Sequence, residues 1–118
     1  MFASACATLD HFRGQDSFER GLALFNQGRF AAAIPYFEAA TREDPDFAQA
    51  YFYLGRAYIS ESRWRAAIQP LRTAFRLAPQ ESKQEIMDLI IDATFAAALN
   101  DFHLGDRIAP PARFSDPL

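Results

Sequence analysis

Small and apolar residues recur with helical spacing in the middle of the chain. One set follows the i, i+3, i+4, i+7 spacing of an amphipathic helix; it comprises Tyr51, Leu54, Gly55 and Tyr58. A second apolar stripe begins at Trp64 and continues to Phe75, after a polar break at residues 60–62. Because no useful stretch alternates apolar and polar residues as a strand does, the pattern predicts an all-α chain built from helical hairpins.

The same pattern occurs twice, at a constant offset of 34 residues, when residues 14–47 are aligned with residues 48–81. Identical residues at this offset include Gly21/Gly55, Arg29/Arg63, Ala33/Ala67, Ile34/Ile68, Ala40/Ala74, Arg42/Arg76 and Pro45/Pro79. The small residues allow the two helices of a hairpin to approach closely, and the shared prolines stop each second helix. Gly28 permits a positive φ at the turn of the first unit. The sequence therefore predicts two stacked hairpins.

This spacing resembles that of the tetratricopeptide repeat (TPR) family, whose 34-residue motif places small and large residues at fixed positions. The second unit carries the resemblance best, through Tyr51, Leu54, Gly55, Tyr58, Ala67, Leu71, Ala74 and Pro79. The first unit departs from the motif at Ser17 and Arg20. Pro35 and Pro70 lie inside the second helices, where we expect slight bends and no breaks. The resemblance implies a right-handed helical-hairpin solenoid.

We divide the chain into five predicted parts. Residues 1–13 form a helical segment or the remnant of an earlier repeat, with a frayed tail as the alternative. Residues 14–47 and 48–81 are the two repeats. Residues 82–104 form a C-terminal capping helix, and residues 105–118, with three prolines, form an extended tail.

The capping helix is predicted to have two opposite faces. Its apolar face comprises Ile86, Leu89, Ile90, Ala93 and Ala97. A solvated acidic stripe comprises Glu81, Glu85, Asp88 and Asp92, and we expect it to pair with Arg65, Arg72 and Arg76 of the preceding helix. After Asp92 the helix becomes apolar nearly all round, so its end requires a cover.

Composition and charge narrow the class of protein. Half of the 118 residues are hydrophobic, which suffices for a core, and the net charge of −3 argues against a nucleic-acid binder with a broad basic face. Cys6 is the single cysteine and cannot form an internal disulfide. No uncharged run approaches the roughly 20 residues of a membrane span. We therefore expect a cytoplasmic protein that neither binds nucleic acid nor spans a membrane.

No set of residues indicates catalysis. His11 and His103 lie at the margins of the repeats without a nucleophile pattern, and Asp88 with Asp92 supplies too few ligands for a metal ion. No glycine-rich phosphate loop occurs. The sequence predicts no enzymatic activity, no cofactor and no metal site.

The resemblance implies a binding surface instead, since the first helices of this family line a concave groove that holds a peptide or a partner helix. The groove positions correspond to Phe18, Leu22, Phe25 and Asn26 in the first repeat, to Gln49, Phe52, Arg56 and Ile59 in the second, and to Lys83 beyond it. One subfamily clamps acidic chaperone C-termini with polar side chains, but the matching positions here hold Phe18, Leu22 and Tyr53. We therefore predict a protein-interaction module or scaffold that binds a hydrophobic or amphipathic segment, with Phe18, Phe25 and Phe52 as anchors.

The sequence alone leaves three alternatives open. In the first, the groove aromatics belong to the core and are covered by one of the chain's own termini. The second is a homodimer formed through the apolar helix end at Thr94, Phe95, Ala98 and Leu99. The third is an accessory domain of a larger protein.

Overall fold

A computed structural model describes the backbone of residues 2–102 and the side chains of residues 12–102. This part of the chain forms five helices: α1 (Phe2–Asn26), α2 (Phe30–Glu43), α3 (Ala48–Ser60), α4 (Trp64–Leu77) and α5 (Gln80–Asp101). The described residues include no strand, and each helix packs against the next along the chain. The predicted all-α, helical-hairpin solenoid is confirmed. The predicted tail at residues 105–118 lies outside the described residues.

The turns inside the two hairpins have the same backbone geometry. Gly28 adopts a φ of +76°, and Ser62, one period later, adopts a φ of +57°. The next residue in each turn donates its N–H to the carbonyl oxygen five residues earlier, at 2.9 Å for Arg29 and 2.8 Å for Arg63. Such a hydrogen bond is typical of the C-terminal end of a helix that is followed by a residue with positive φ. The sequence repeat therefore extends to individual backbone hydrogen bonds.

Glycine sets the closeness of the two helices within each hairpin. A Cβ atom on Gly21 would lie 2.8 Å from the Phe37 ring, and one on Gly55 would lie 2.5 Å from Leu71 Cγ. Phe37 and Leu71 are the largest fully buried side chains among the described residues. The predicted role of these two glycines is confirmed, because any larger residue would overlap a buried side chain.

Helices α2 and α4 continue through their internal prolines. Pro35 lies inside Phe30–Glu43 and Pro70 inside Trp64–Leu77, and neither helix is interrupted. Each proline is the sixth or seventh residue of its helix, so it removes one early backbone hydrogen bond. The prediction that the prolines would not break the helices is confirmed.

Helix α1 includes residues 2–13 of the segment that is predicted separately at residues 1–13, and it runs on without a break into the first hairpin. Gly14 is buried, and a Cβ there would lie 2.9 Å from Asp44 Cβ. Ser17 Oγ donates a hydrogen bond of 2.9 Å to Glu43 Oε1. A polar contact thus joins α1 to the end of α2 where the family motif has a large apolar residue.

The predicted acidic stripe of α5 is wrong at its last member. Asp92 is only 7% exposed, and Ala93 and Ala96 beside it are buried as well. Ala96 follows Asp92 by about one helical turn, so both residues lie on the same face of α5. The buried face of the helix is therefore wide enough to include the aspartate.

The predicted partners of Arg65 are also wrong. Its guanidinium pairs with the carboxylate of Asp101, at the far end of α5, and not with the acidic stripe. The reason is topological: α4 and α5 are antiparallel neighbours, so the start of one lies beside the end of the other.

Candidate functional site

A cavity of about 240 Å³ opens between α3 and α5. We call it the α3–α5 cavity; its lining comprises Ala48, Gln49, Phe52, Tyr53, Ala78, Pro79, Ser82, Glu85 and Ile86. Two of the predicted groove residues, Gln49 and Phe52, therefore lie together at one opening. Gln49 is exposed and Phe52 is half-buried, so the aromatic ring is accessible from the cavity.

A group of aromatic rings joins α1 to α3 next to this cavity. We call Phe25, Phe52 and Tyr53 the aromatic cluster. The ring centroids of Phe25 and Tyr53 lie 5.3 Å apart and those of Phe52 and Tyr53 lie 5.6 Å apart, both edge to face. This geometry is favourable for aromatic pairs and holds the two helices in a defined relation. Tyr53 was not among the predicted groove residues, although it occupies a position that carries a clamp side chain in one subfamily of the repeat.

The guanidinium of Arg56 lies over all three rings of the aromatic cluster. Its Cζ atom is 5.2 Å from the centroid of Phe25, 5.4 Å from that of Tyr53 and 5.6 Å from that of Phe52. A cation at such distances is attracted by the negative ring faces. Arg56 is half-buried, so its charge is held in place while part of it remains accessible.

Phe18 lies in the core of the first hairpin and is only 5% exposed. The sequence pattern predicted a surface anchor at this position, and the structure differs because two rings from beyond the first hairpin's helices cover it. Its centroid is 4.9 Å from that of Phe47 in the loop between hairpins and 5.7 Å from that of Tyr53. For Phe18, the structure corresponds to the alternative in which the aromatic belongs to the core.

The remaining predicted residues occupy three environments. Leu22 and Ile59 are half-buried and pack against the cores of the first and second hairpins respectively. Asn26 is exposed in the last turn of α1. Lys83 does not line the cavity, because its Nζ donates a hydrogen bond of 2.5 Å to the carbonyl oxygen of Phe75 and lies 4.6 Å from that ring's centroid.

Most cavity residues on α5 and at the end of α4 were not among the predicted site residues. Ser82 and Glu85 line the cavity together with Ile86. The signal for them was the 34-residue period, which makes Ser82 the equivalent of Ala48 and Ile86 the equivalent of Phe52.

An exposed apolar stripe follows the outer side of α5. Ile91, Phe95 and Phe102 are 54%, 53% and 73% exposed, and Thr94 and Ala98 are also exposed between them. We call Ile91, Phe95, Ala98 and Phe102 the α5 stripe. Its members lie at i, i+4, i+7 and i+11, so they share one helix face. The predicted apolar helix end is thus accessible at Phe95, whereas Leu99 is half-buried.

Two ionisable side chains of the described residues, Tyr51 and Tyr58, have raised pKa values. No group of three or more His, Cys, Asp or Glu side chains that could hold a metal ion occurs there. Burial and the nearby Glu38 carboxylate raise the pKa of Tyr58, whose hydroxyl donates to Glu38 Oε1 at 3.2 Å. Burial and then Asp46 raise the pKa of Tyr51. Both tyrosines therefore stay protonated near neutral pH. Within the described part of the chain, no helix has the length and apolar character needed to cross a membrane.

Comparisons with known proteins agree with this architecture. The family model of the tetratricopeptide repeat matches residues 18–82, which is more than half of the chain. A stretch of 51 residues is 35% identical to a protein of Dictyostelium discoideum named peroxisomal targeting signal 1 receptor. That stretch is 43% of this chain and 8% of the relative, so the chain spans a small part of that protein. No solved structure matches this chain.

Proposed function

Because the chain belongs to the tetratricopeptide repeat family, whose repeats are protein-interaction modules, we propose that it binds another protein and has no catalytic activity of its own. A cytoplasmic location remains our prediction and rests on the single cysteine, which suits a reducing compartment. That the chain acts as an accessory domain of a larger protein also remains a prediction, in line with the 8% of the relative that it spans.

We propose that the partner docks a hydrophobic or amphipathic segment into the groove formed by α1, α3 and α5. The observation that carries this proposal is the α3–α5 cavity, with the half-exposed ring of Phe52 on its wall. At about 240 Å³ it is smaller than the roughly 300–1,000 Å³ typical of small-molecule sites. A cavity of this size suits one large side chain of a docked segment better than a whole cofactor.

The energetic centre of the proposed interface is Phe52. It combines accessibility with rigid support from the Tyr53 ring and from the guanidinium of Arg56. Aromatic residues held in this way dominate binding energies, because their burial on docking costs little side-chain entropy. Gln49 and Asn26, both exposed, supply polar groups at the edges of the groove.

A displayed library of random 16-residue peptides tests the proposal even while the partner is unidentified. Peptides selected on the wild-type chain are expected to bind Phe52→Ala at least tenfold more weakly, a loss of about 1.4 kcal/mol or more. Tyr36→Ala is the matched control, because Tyr36 is an exposed aromatic on α2, away from the cavity. Unchanged affinity of Phe52→Ala, at unchanged thermal stability, would remove Phe52 from the site.

We propose self-association as a second candidate function, because the α5 stripe exposes more than half of the surface of Ile91, Phe95 and Phe102. A two-fold contact between two α5 helices through the predicted Thr94, Phe95, Ala98 and Leu99 would bury this face. Sedimentation velocity over the micromolar range is expected to show a dimer for the wild type and a monomer for Phe95→Asp. A wild-type monomer throughout that range would rule the dimer out.

A further inference from the structure

The position of Arg56 restricts the chemistry of any segment that enters the groove. Its guanidinium is held over the aromatic cluster by attraction to three ring faces. Because aromatic rings carry no oxygen acceptor, this contact leaves the N–H groups of the guanidinium without an oxygen partner. The Arg56 side chain is therefore held in position while its N–H groups remain able to donate hydrogen bonds.

No carboxylate of the described residues satisfies those donors. The ion pairs found in that part of the chain use other arginines, Arg20 with Asp16 and Arg65 with Asp101. The side-chain hydrogen bonds seen there also leave Arg56 out. A guanidinium that is held in position and is not paired with a carboxylate of the described residues is suited to bind a carboxylate from a partner, through two parallel hydrogen bonds.

Arg56 lies inside the groove and not at its end. On one side it contacts Phe25 of α1, and on the other it follows Phe52, which lines the α3–α5 cavity, by one turn of α3. The four residues from Phe52 to Arg56 correspond to a rise of about 6 Å along the helix. A segment whose apolar residue fills the cavity and whose chain runs towards α1 passes Arg56, and the group that it presents there is a side chain.

Charge at the other side of the cavity gives the docked segment a direction. Glu85 of α5 lines the cavity and is exposed. An acidic residue next to Glu85 would be repelled, while one next to Arg56 would be attracted. The cavity and its two charges therefore favour an acid on the α1 side of the apolar anchor and disfavour one on the α5 side.

We propose that Arg56 is a specificity-determining residue that binds the carboxylate of an Asp or Glu side chain in the docked segment, about 6 Å from the apolar residue that fills the α3–α5 cavity. This proposal rests on groove binding as the function of the chain. In an extended segment the acid lies two residues from the anchor, and in a helical one it lies three or four residues away.

The test uses the displayed 16-residue library on three forms of the chain: the wild type, Arg56→Met and Arg72→Met. Methionine keeps an unbranched apolar stem but has no charge and no donor. Arg72 is the control, because it is an exposed arginine of α4 and does not line the cavity. We expect the wild type and Arg72→Met to enrich peptides with an apolar anchor and an acid at the stated spacing. Arg56→Met is expected to enrich the anchor without the acid.

Affinities of one selected peptide and its Glu→Gln or Asp→Asn version then measure the contact itself. The change is expected to weaken binding to the wild type about tenfold, and to Arg56→Met less than twofold. Added salt is expected to reduce the wild-type difference, since part of it is electrostatic. Should Arg56→Met fail to fold, Arg56→Lys replaces it and is expected to retain only part of the tenfold preference, because lysine lacks the planar fork.

The outcomes separate this proposal from the function on which it rests. If the wild type enriches no peptide, groove binding itself is refuted and the role of Arg56 with it. If peptides are enriched for an apolar anchor without an acid, groove binding stands and the role of Arg56 is refuted. An acid preference that Arg56→Met retains at full strength would refute it as well.

Discussion

Replacing Gly55 by alanine tests the close approach of α3 and α4, on which the shape of the groove depends. The added Cβ would lie 2.5 Å from Leu71 Cγ and 2.6 Å from its Cδ2. Carbon atoms in contact are normally about 3.5–4.0 Å apart, so the new methyl group is about 1 Å too close. Leu71 is fully buried, so a shift of its branching carbon must disturb the surrounding core.

Two opposing effects determine the magnitude. Alanine is favoured over glycine inside a helix by about 1 kcal/mol, whereas an extra methyl group in a filled core costs about 1–3 kcal/mol. Overlap with the branching carbon of Leu71 belongs at the upper end of that cost. We therefore expect Gly55→Ala to lower the free energy of unfolding by about 1–2 kcal/mol, equivalent to about 4–8 °C in Tm for a domain of this size.

The same substitution is expected to change sign when Leu71 is also replaced by alanine. Leu71→Ala alone costs about 2–5 kcal/mol, because it leaves a cavity in the core. In that background the Cβ at position 55 has space, so only the helix preference of alanine and the partial filling of the cavity remain. Gly55→Ala should then stabilise the protein by about 1 kcal/mol, which gives a coupling of about 2–3 kcal/mol between the two sites.

Urea unfolding followed by far-ultraviolet circular dichroism measures all four members of this cycle. The slope of the free energy against urea must be the same for all of them if the comparison is to hold. An equal cost of Gly55→Ala in both backgrounds would show that the overlap with Leu71 is not the cause. A stabilising Gly55→Ala in the wild-type background would refute the close approach itself.

Three further predictions concern the turns and the surface of the solenoid. Gly28 and Ser62 both have positive φ, which favours glycine. In urea titrations, Ser62→Gly should therefore raise the free energy of unfolding by about 0.5–1 kcal/mol, and Gly28→Ser should lower it by about 1 kcal/mol. Changes of the same sign in the two variants would contradict this. Tyr58→Phe, which removes the hydrogen bond to Glu38, should cost about 1 kcal/mol at neutral pH. Folding raises the pKa of Tyr58 above its ordinary value of 10.0, so the protonated hydroxyl contributes to the free energy of unfolding at lower pH. This contribution is lost as the pH rises through the raised pKa. Above pH 10.0 the stability of Tyr58→Phe should therefore fall less steeply with pH than that of the wild type. Arg65→Met, at an exposed ion pair, should change Tm by only a few degrees, and a larger loss would show that the pair is not screened.

Contacts within each hairpin could be predicted from the sequence, because they join residues at a fixed separation. Gly21 meets Phe37 and Gly55 meets Leu71, in each case 16 residues further along the chain. A pattern that repeats along the sequence determines such local contacts, since the helix lengths and the turn between them repeat as well. The positive φ at Gly28 belongs to the same class.

Contacts between hairpins, and those of long side chains, could not be predicted in this way. The burial of Phe18 depends on Phe47, which lies in a loop and outside any helical periodicity. The contact of Lys83 with the end of α4 depends on one choice among many rotamers of a flexible side chain. The contact of Arg56 with the aromatic cluster depends on how α1 and α3 are placed relative to each other. This placement cannot be predicted from the periodicity of either helix alone.

The α3–α5 cavity has a cause in the imperfection of the repeat. Phe18 and Phe52 are equivalent residues one period apart, yet Phe18 is buried and Phe52 is half-buried. The ring of Phe18 is covered by Phe47 and Tyr53, whereas 34 residues after these two the chain has Glu81, which is exposed, and Met87. A charged side chain turned to solvent cannot close over an aromatic ring as phenylalanine does. Phe18 is therefore covered in the first hairpin while Phe52 stays accessible in the second, so the proposed binding surface lies where two otherwise matching units differ.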